Sequence, residues 1–193
     1  MISLGLIAVA TLVANAMTRL RWIAAAFTAV VALAAAIAWA SATPAQVAVS
    51  AAAGIASAGI LAVAARDRSY GEDPGWRLWL GTFTAAIATP LAYASFRTVS
   101  GEGPLPLWLD GSGVIAEVAG VWLLSSGTAI LLTARSAVRA ALAALILVTG
   151  AQLLARLAPE PRLAATLALA WLEVVVALAG AFLIVNERAV NDG

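Results

Sequence analysis

Histidine, cysteine and lysine are absent from the 193 residues. Without histidine or cysteine the chain has no bis-histidine haem site, no thiolate metal site and no ligands for an iron–sulfur cluster. Zinc chemistry on histidine ligands and serine–histidine proteolysis are excluded with them. The missing lysine removes the amine that a retinal Schiff base requires, so a count of seven helices does not make a rhodopsin. Disulfides are impossible and the redox compartment leaves no trace. Charge is also scarce. Charged residues make up 11% of the chain and the net charge is +1, against about 25% charged in soluble domains. All the basic residues are arginines, and they form no patch able to neutralise phosphates, so nucleic acid is not an expected partner. Apolar residues fill the space left: 63% of the chain, with a mean hydropathy of +0.99. A soluble core of this size has no room for that much apolar surface, so lipid is the expected solvent.

A spanning helix needs roughly 20 apolar residues. Seven such stretches occur, at about 1–18, 22–42, 44–65, 76–96, 112–134, 137–157 and 163–186. The sequence thus predicts an all-α, polytopic transmembrane bundle forming one integral membrane unit. Residues 1–96 are its four-helix part and 112–186 its three-helix part. Arg19 and Arg21 separate the first two stretches, and Ser41-Ala42-Thr43-Pro44 turns the chain after the second. The run from Arg66 to Gly75 is the first true polar loop, and Ser100 to Gly111 the longest connection. Arg135-Ser136 and Pro159-Glu160-Pro161-Arg162 divide the last three. The small residues at Ala14-Asn15-Ala16 resemble a signal cleavage site. The arginines follow this apolar run rather than precede it, which is the pattern of a retained helix.

Arginine placement sets the expected orientation. With the N-terminus outside, the inner side holds Arg19, Arg21, Arg66, Arg68, Arg77, Arg135, Arg139 and Arg188, and the outer side only Arg97, Arg156 and Arg162. The expectation is N-out, C-in, in the cell's inner (plasma) membrane. Trp22, Trp76, Trp79 and Trp108 fall near helix ends, as interfacial anchors do; Trp39, Trp122 and Trp171 fit that rule less well. The third stretch is rich in small residues from Ser50 to Gly59, which either serve close helix packing or reflect the alanine content of the whole chain. Pro90, inside the fourth, kinks that helix or frees a carbonyl.

Ionisable groups inside a bilayer are costly and mark functional sites. Glu173 lies near the middle of the seventh helix, and Glu117 about five residues inside the fifth, with Asp110 at that helix's mouth. A carboxylate at Glu173 must be protonated, paired or hydrated, and such a group can take up and release a proton. It is either a relay or a protonated donor of one interhelical hydrogen bond. Glu117 is either a relay or the ion-pair partner of Arg156, which an outward-running sixth helix brings to the same face. Arg156 can also snorkel to the headgroups. Gln152 and Arg156 share a face of the sixth helix at i,i+4 spacing. With Thr149, Gln152 is a further relay candidate, or a plain interhelical hydrogen-bonding residue. No nucleophile–base pair, phosphate loop or metal cluster accompanies them, so no cofactor and no autonomous enzyme is expected.

From Arg135 onward the residues follow a recognisable order. Arg135 and Arg139 open the sixth helix, Gly150 and Leu153 lie further along it, an Ala158-Pro159-Glu160 turn follows, and the last helix bears a central Glu173. This C-terminal part resembles the K subunit of respiratory complex I. The whole layout is similar to the longer membrane component E of hydrogenase-4 and formate hydrogenlyase complexes. That family also has a basic turn between its first two helices and an Ala-Ala-Arg-like end to its third, here Ala64-Ala65-Arg66. The resemblance implies an accessory, cofactor-free membrane subunit of a redox-driven, proton- or ion-translocating complex, lying beside antiporter-like membrane subunits that work with redox centres on partner chains. The sequence departs from the family's pattern in three places. Val148 stands where a carboxylate is usual, Glu173 is displaced by about a turn, and Glu117 has no counterpart. The residues leave two other readings open: a self-contained small transporter, although no internal repeat is evident, and a structural membrane scaffold.

Overall fold

The computed structural model describes residues 2–17, 20–40, 42–64, 75–100, 111–157 and 163–191. These form seven helices: α1 Ile2–Ala16, α2 Leu20–Ala38, α3 Pro44–Ala64, α4 Gly75–Ser100, α5 Gly111–Thr133, α6 Ala137–Ala155 and α7 Leu163–Asn191. The expected stretches and the observed helices agree to within a few residues at most ends. Local chemistry explains several of the boundaries. Thr43 and Gln46 form a reciprocal capping box at the start of α3, with Thr43 N–H donating to Gln46 Oε1 and Gln46 N–H to Thr43 Oγ1. Ser136 caps α6 by accepting from the Arg139 N–H, and the Glu187 carboxylate accepts the Ala137 N–H at 3.0 Å. A negative charge is favoured there, at the positive end of the α6 dipole.

Among the described residues, four helices are long and apolar enough to cross a membrane: Pro44–Ala64, Gly113–Thr133, Ala137–Ala155 and Leu163–Glu187. Ile2–Ala16 and Trp22–Ala38 are apolar but shorter. Helix α4 runs unbroken through Pro90 and carries Thr82, Thr84, Thr89 and Tyr93. Hydroxyls throughout the bundle bond to their own helices. Thr11, Thr28, Thr84, Thr89, Thr128 and Thr149 each donate to the carbonyl four residues earlier, which satisfies them without water.

The helices form two stacked layers. In one, α2 lies between α1 and α3; in the other, α6 lies between α5 and α7. Helix α1 packs on α5, α2 on α6 and α3 on α7, while α4 flanks the stack against α5 and α1. The core between the layers is apolar, with Phe27, Leu123, Leu142, Leu145 and Ile146 wholly enclosed. The outer faces are apolar as well: Trp79, Phe83 and Ile87 of α4 and Trp171, Leu178 and Phe182 of α7 are exposed. Trp39 lies just past the end of α2 and is exposed, as an anchor would be, whereas Trp171 lies mid-helix. Trp108 and Asp110 fall outside the described residues.

Candidate functional site

Four helices meet at a buried polar cluster between the layers. Glu173 lies ten residues into α7, about 15 Å along its axis. It is 1% exposed. Gln152 of α6 donates Nε2–H to Glu173 Oε2 at 2.8 Å. Arg156, the C-terminal cap of α6, is 6% exposed and donates from Nη2 to Ser50 Oγ on α3. Ser50 in turn donates to the Gln46 carbonyl at 2.9 Å. Thr149, Gln152, Arg156 and Glu173, with Ser50 and Ala34, surround a small cavity. Only about 10 Å³ of it is open to the centre of a water-sized sphere, room for about one water molecule.

The cluster holds together because α3, α6 and α7 bring polar side chains to one level, while α2 closes it with Val31, Ala34 and Ala35. Gln152 and Arg156 are one helical turn apart on α6 and reach the neighbouring layer. Ser50 is one turn past Gln46, close to the capped start of α3. Among the described residues, α2 and α3 bring no charged side chain to the site, and Arg156 is the only counter-charge lining it with Glu173. Of the expected relay residues, the structure brings Glu173, Gln152 and Thr149 together, and Arg156 with them. Ser50 was not singled out in the sequence beyond its place among small residues. Its signal was its position one turn inside a Thr-x-x-Gln capping pattern.

Glu117 lies elsewhere. The expected Glu117–Arg156 pair does not form: Glu117 Oε2 faces Arg97 Nη1 of α4 at 3.7 Å, while Arg156 turns to α3 and α7. Both residues occupy the same end of the bundle, but on opposite flanks of α6. Hydropathy gives depth and not helix rotation, so the sequence pointed to the wrong arginine. Arg97 sits in the last turn of α4, where a cation suits the helix dipole. Its side chain is 38% exposed and that of Glu117 only 3%. Neither Glu117 oxygen accepts a hydrogen bond. Arg97→Met is therefore expected to destabilise by about 1–3 kcal/mol, the cost of leaving a buried polar group unpartnered. Adding Glu117→Leu should restore most of that loss, as thermal unfolding of the single and double variants in detergent would measure.

At the opposite end of α6, Arg139 is also buried and reaches α1. It donates to the Asn15 carbonyl, to Asn15 Oδ1 at 3.3 Å and to the Met17 carbonyl at 3.4 Å. Asn15 continues the contact to α4 by donating Nδ2–H to Thr82 Oγ1. The sequence used Arg139 only as a marker of orientation. The two arginines of α6 thus tie its two ends to α1 and α3 of the other layer.

No family model, curated protein or solved structure matches the chain. Function is therefore argued from the buried cluster and the packing around it.

Proposed function

We propose that this chain is a multi-pass membrane subunit of a proton-translocating complex, with Glu173 as its protonatable site. The observation that carries the reading is the buried Ser50–Arg156–Glu173–Gln152 cluster, with Glu173 three turns inside the apolar α7. An ionisable side chain at that depth costs several kcal/mol unless it is partnered, and such groups mark ion pathways. The contacts also support seven alternating spans. The end of α1 meets the start of α6, the end of α4 meets the start of α5, the end of α6 meets the early part of α3, and the end of α7 meets the start of α6. Helices crossing one slab in alternation make these contacts. Arginine placement then puts the N-terminus outside, so α6 ends at the outer face. The resemblance of the sequence to complex I K subunits and hydrogenase-4 component E supports an expected setting beside antiporter-like subunits, in a redox-driven complex whose cofactors lie on partners.

Glu173→Gln keeps the side chain's size and its contact with Gln152 but cannot ionise. In the intact assembly it is expected to lower proton pumping by about a hundredfold or more, the usual contribution of one positioned proton-transfer group. Assembly and thermal stability should be retained. Pumping equal to wild type would remove Glu173 from any obligatory route.

The layered packing favours a second reading, a self-contained transporter. Helices α1–α3 and α5–α7 run in corresponding directions and stack pairwise, with the polar cluster between them, as in transporters built from two parallel halves. Proton flux in vesicles holding this chain alone would select that reading over the subunit.

A further inference from the structure

Two buried polar atoms at the cluster lack a partner, and they are of opposite kinds. Arg156 Nε is a donor and Glu173 Oε1 an acceptor, and neither makes a hydrogen bond within the protein. Both residues line the cavity with room for about one water molecule. A metal cation there would satisfy Glu173 but sit beside the Arg156 guanidinium. An anion would satisfy Arg156 but face the Glu173 carboxylate. Water alone satisfies both, by accepting from Nε–H and donating to Oε1.

The surroundings of the site are asymmetric. Toward the face where α6 ends and α3 begins, polar groups continue through Arg156 and Ser50 to Gln46 and Thr43 at the capped start of α3. Toward the opposite face the packing is apolar. Phe27, Leu142, Leu145, Ala177 and Ile184 are each at most 2% exposed. Among the described residues, the buried polar side chains that α2, α3, α6 and α7 place on that side are Ser57, midway along α3, and Arg139, in the first turn of α6 and turned to α1.

We propose that the cavity binds one ordered water bridging Arg156 Nε and Glu173 Oε1, and that through it Glu173 exchanges protons only with the membrane face at which α6 ends. The proposal rests on Glu173 being the protonatable site and adds its ion and its side of access. The step balances simply. A proton reaching the bridging water makes hydronium, which gives a proton to Oε1 and returns to water. Release reverses it. Oε2 stays engaged with Gln152 throughout.

The chain is suited to a chemical test with dicyclohexylcarbodiimide. This reagent partitions into lipid and reacts with a protonated carboxyl: the acid proton passes to a carbodiimide nitrogen and the carboxyl oxygen bonds the central carbon. The full chain is reconstituted in one orientation in vesicles, with the pH set separately on the two sides. Labelling of the Glu173 peptide is read by mass spectrometry, with Glu173→Gln as the blank. The expected result is labelling that follows the pH on the α6-terminal side and ignores the other. Dependence on the opposite side, or equally on both, would overturn one-sided access while leaving Glu173 protonatable. No labelling at any pH would overturn both. Ala34→Val adds two methyl groups at the cavity wall and is expected to slow labelling about tenfold by displacing the bridging water. Ala51→Val serves as a second filler should Ala34→Val unfold early. An unchanged rate in a folded filler variant would reject the water.

Discussion

Gly127→Ala is expected to lower the stability of the bundle by about 1–3 kcal/mol, the usual cost of forcing a methyl group into a filled contact. A Cβ at Gly127 would lie 2.9 Å from the Ala143 carbonyl oxygen, 3.0 Å from the Leu147 nitrogen and 2.7 Å from Leu147 Cγ. Two of these are backbone atoms of α6 and cannot rotate aside. The contact is reciprocal further along the same crossing, where a Cβ at Gly150 would meet the Gly120 oxygen and the Leu124 nitrogen, each at 3.0 Å. In lipid no hydrophobic effect draws helices together, so this close packing is a main source of their affinity. Gly59→Ala is the control. Its Cβ would meet nothing within 4 Å, and it should be neutral or gain up to about 1 kcal/mol of helix propensity. Thermal unfolding in detergent, followed by tryptophan fluorescence, separates the two. Equal midpoints for Gly127→Ala and Gly59→Ala would mean that α5 and α6 relax apart without loss. The displacement also reaches the site, because α6 carries Thr149, Gln152 and Arg156.

That crossing marks a limit of what the sequence shows. Helix positions are legible because lipid sets their length and because Arg135-Ser136 and the Thr43–Gln46 capping pattern punctuate the apolar runs. The place of Glu173 along α7 is legible for the same reason. Which faces meet is not, since an apolar helix in lipid has no amphipathic stripe to reveal its rotation. The small residues of α3 serve close packing only in part: a Cβ at Gly54 would press on Val31, whereas one at Gly59 would meet nothing within 4 Å. The tightest backbone approach is instead between α5 and α6. The repeat of Gly120 and Gly127 seven residues apart, two turns on one face, was the signal for it. Glu117 illustrates the same limit, since its place early in α5 is legible and its partner, Arg97 rather than Arg156, is not. The cavity beside Glu173 was beyond the sequence, because α2 and α3 of the other layer close it with Ala34 and Ser50, and hydropathy does not say which faces meet.

Arg139→Met is expected to cost about 3 kcal/mol, because α1 then ends in carbonyls that have lost a charged donor in a place shielded from water. Arg139 is 5% exposed, and its guanidinium spans the Asn15 and Met17 carbonyls and the Asn15 side chain. It sits in the first turn of α6, where its own helix dipole opposes a cation. The partial negative charge at the end of α1 offsets this, so the arginine is favourable only while α1 is docked. Methionine keeps much of the length and loses the charge and every donor. Arg139→Lys should recover part of the loss, since it keeps the charge but cannot fork across two residues. Arg135→Met removes an exposed arginine from the same end of the bundle and should leave the unfolding midpoint nearly unchanged. Asn15→Ala alone and combined with Arg139→Met completes a cycle, with an expected coupling of 0.5–3 kcal/mol, roughly, for residues in one network. Arg139→Met as mild as Arg135→Met would mean that α1 is held by apolar packing on α2 and α5 alone. A large loss with strong coupling would instead make α6 the strut of the fold, fixed through one buried arginine to α1 and through the other to α3, with the Glu173 cluster built against the second.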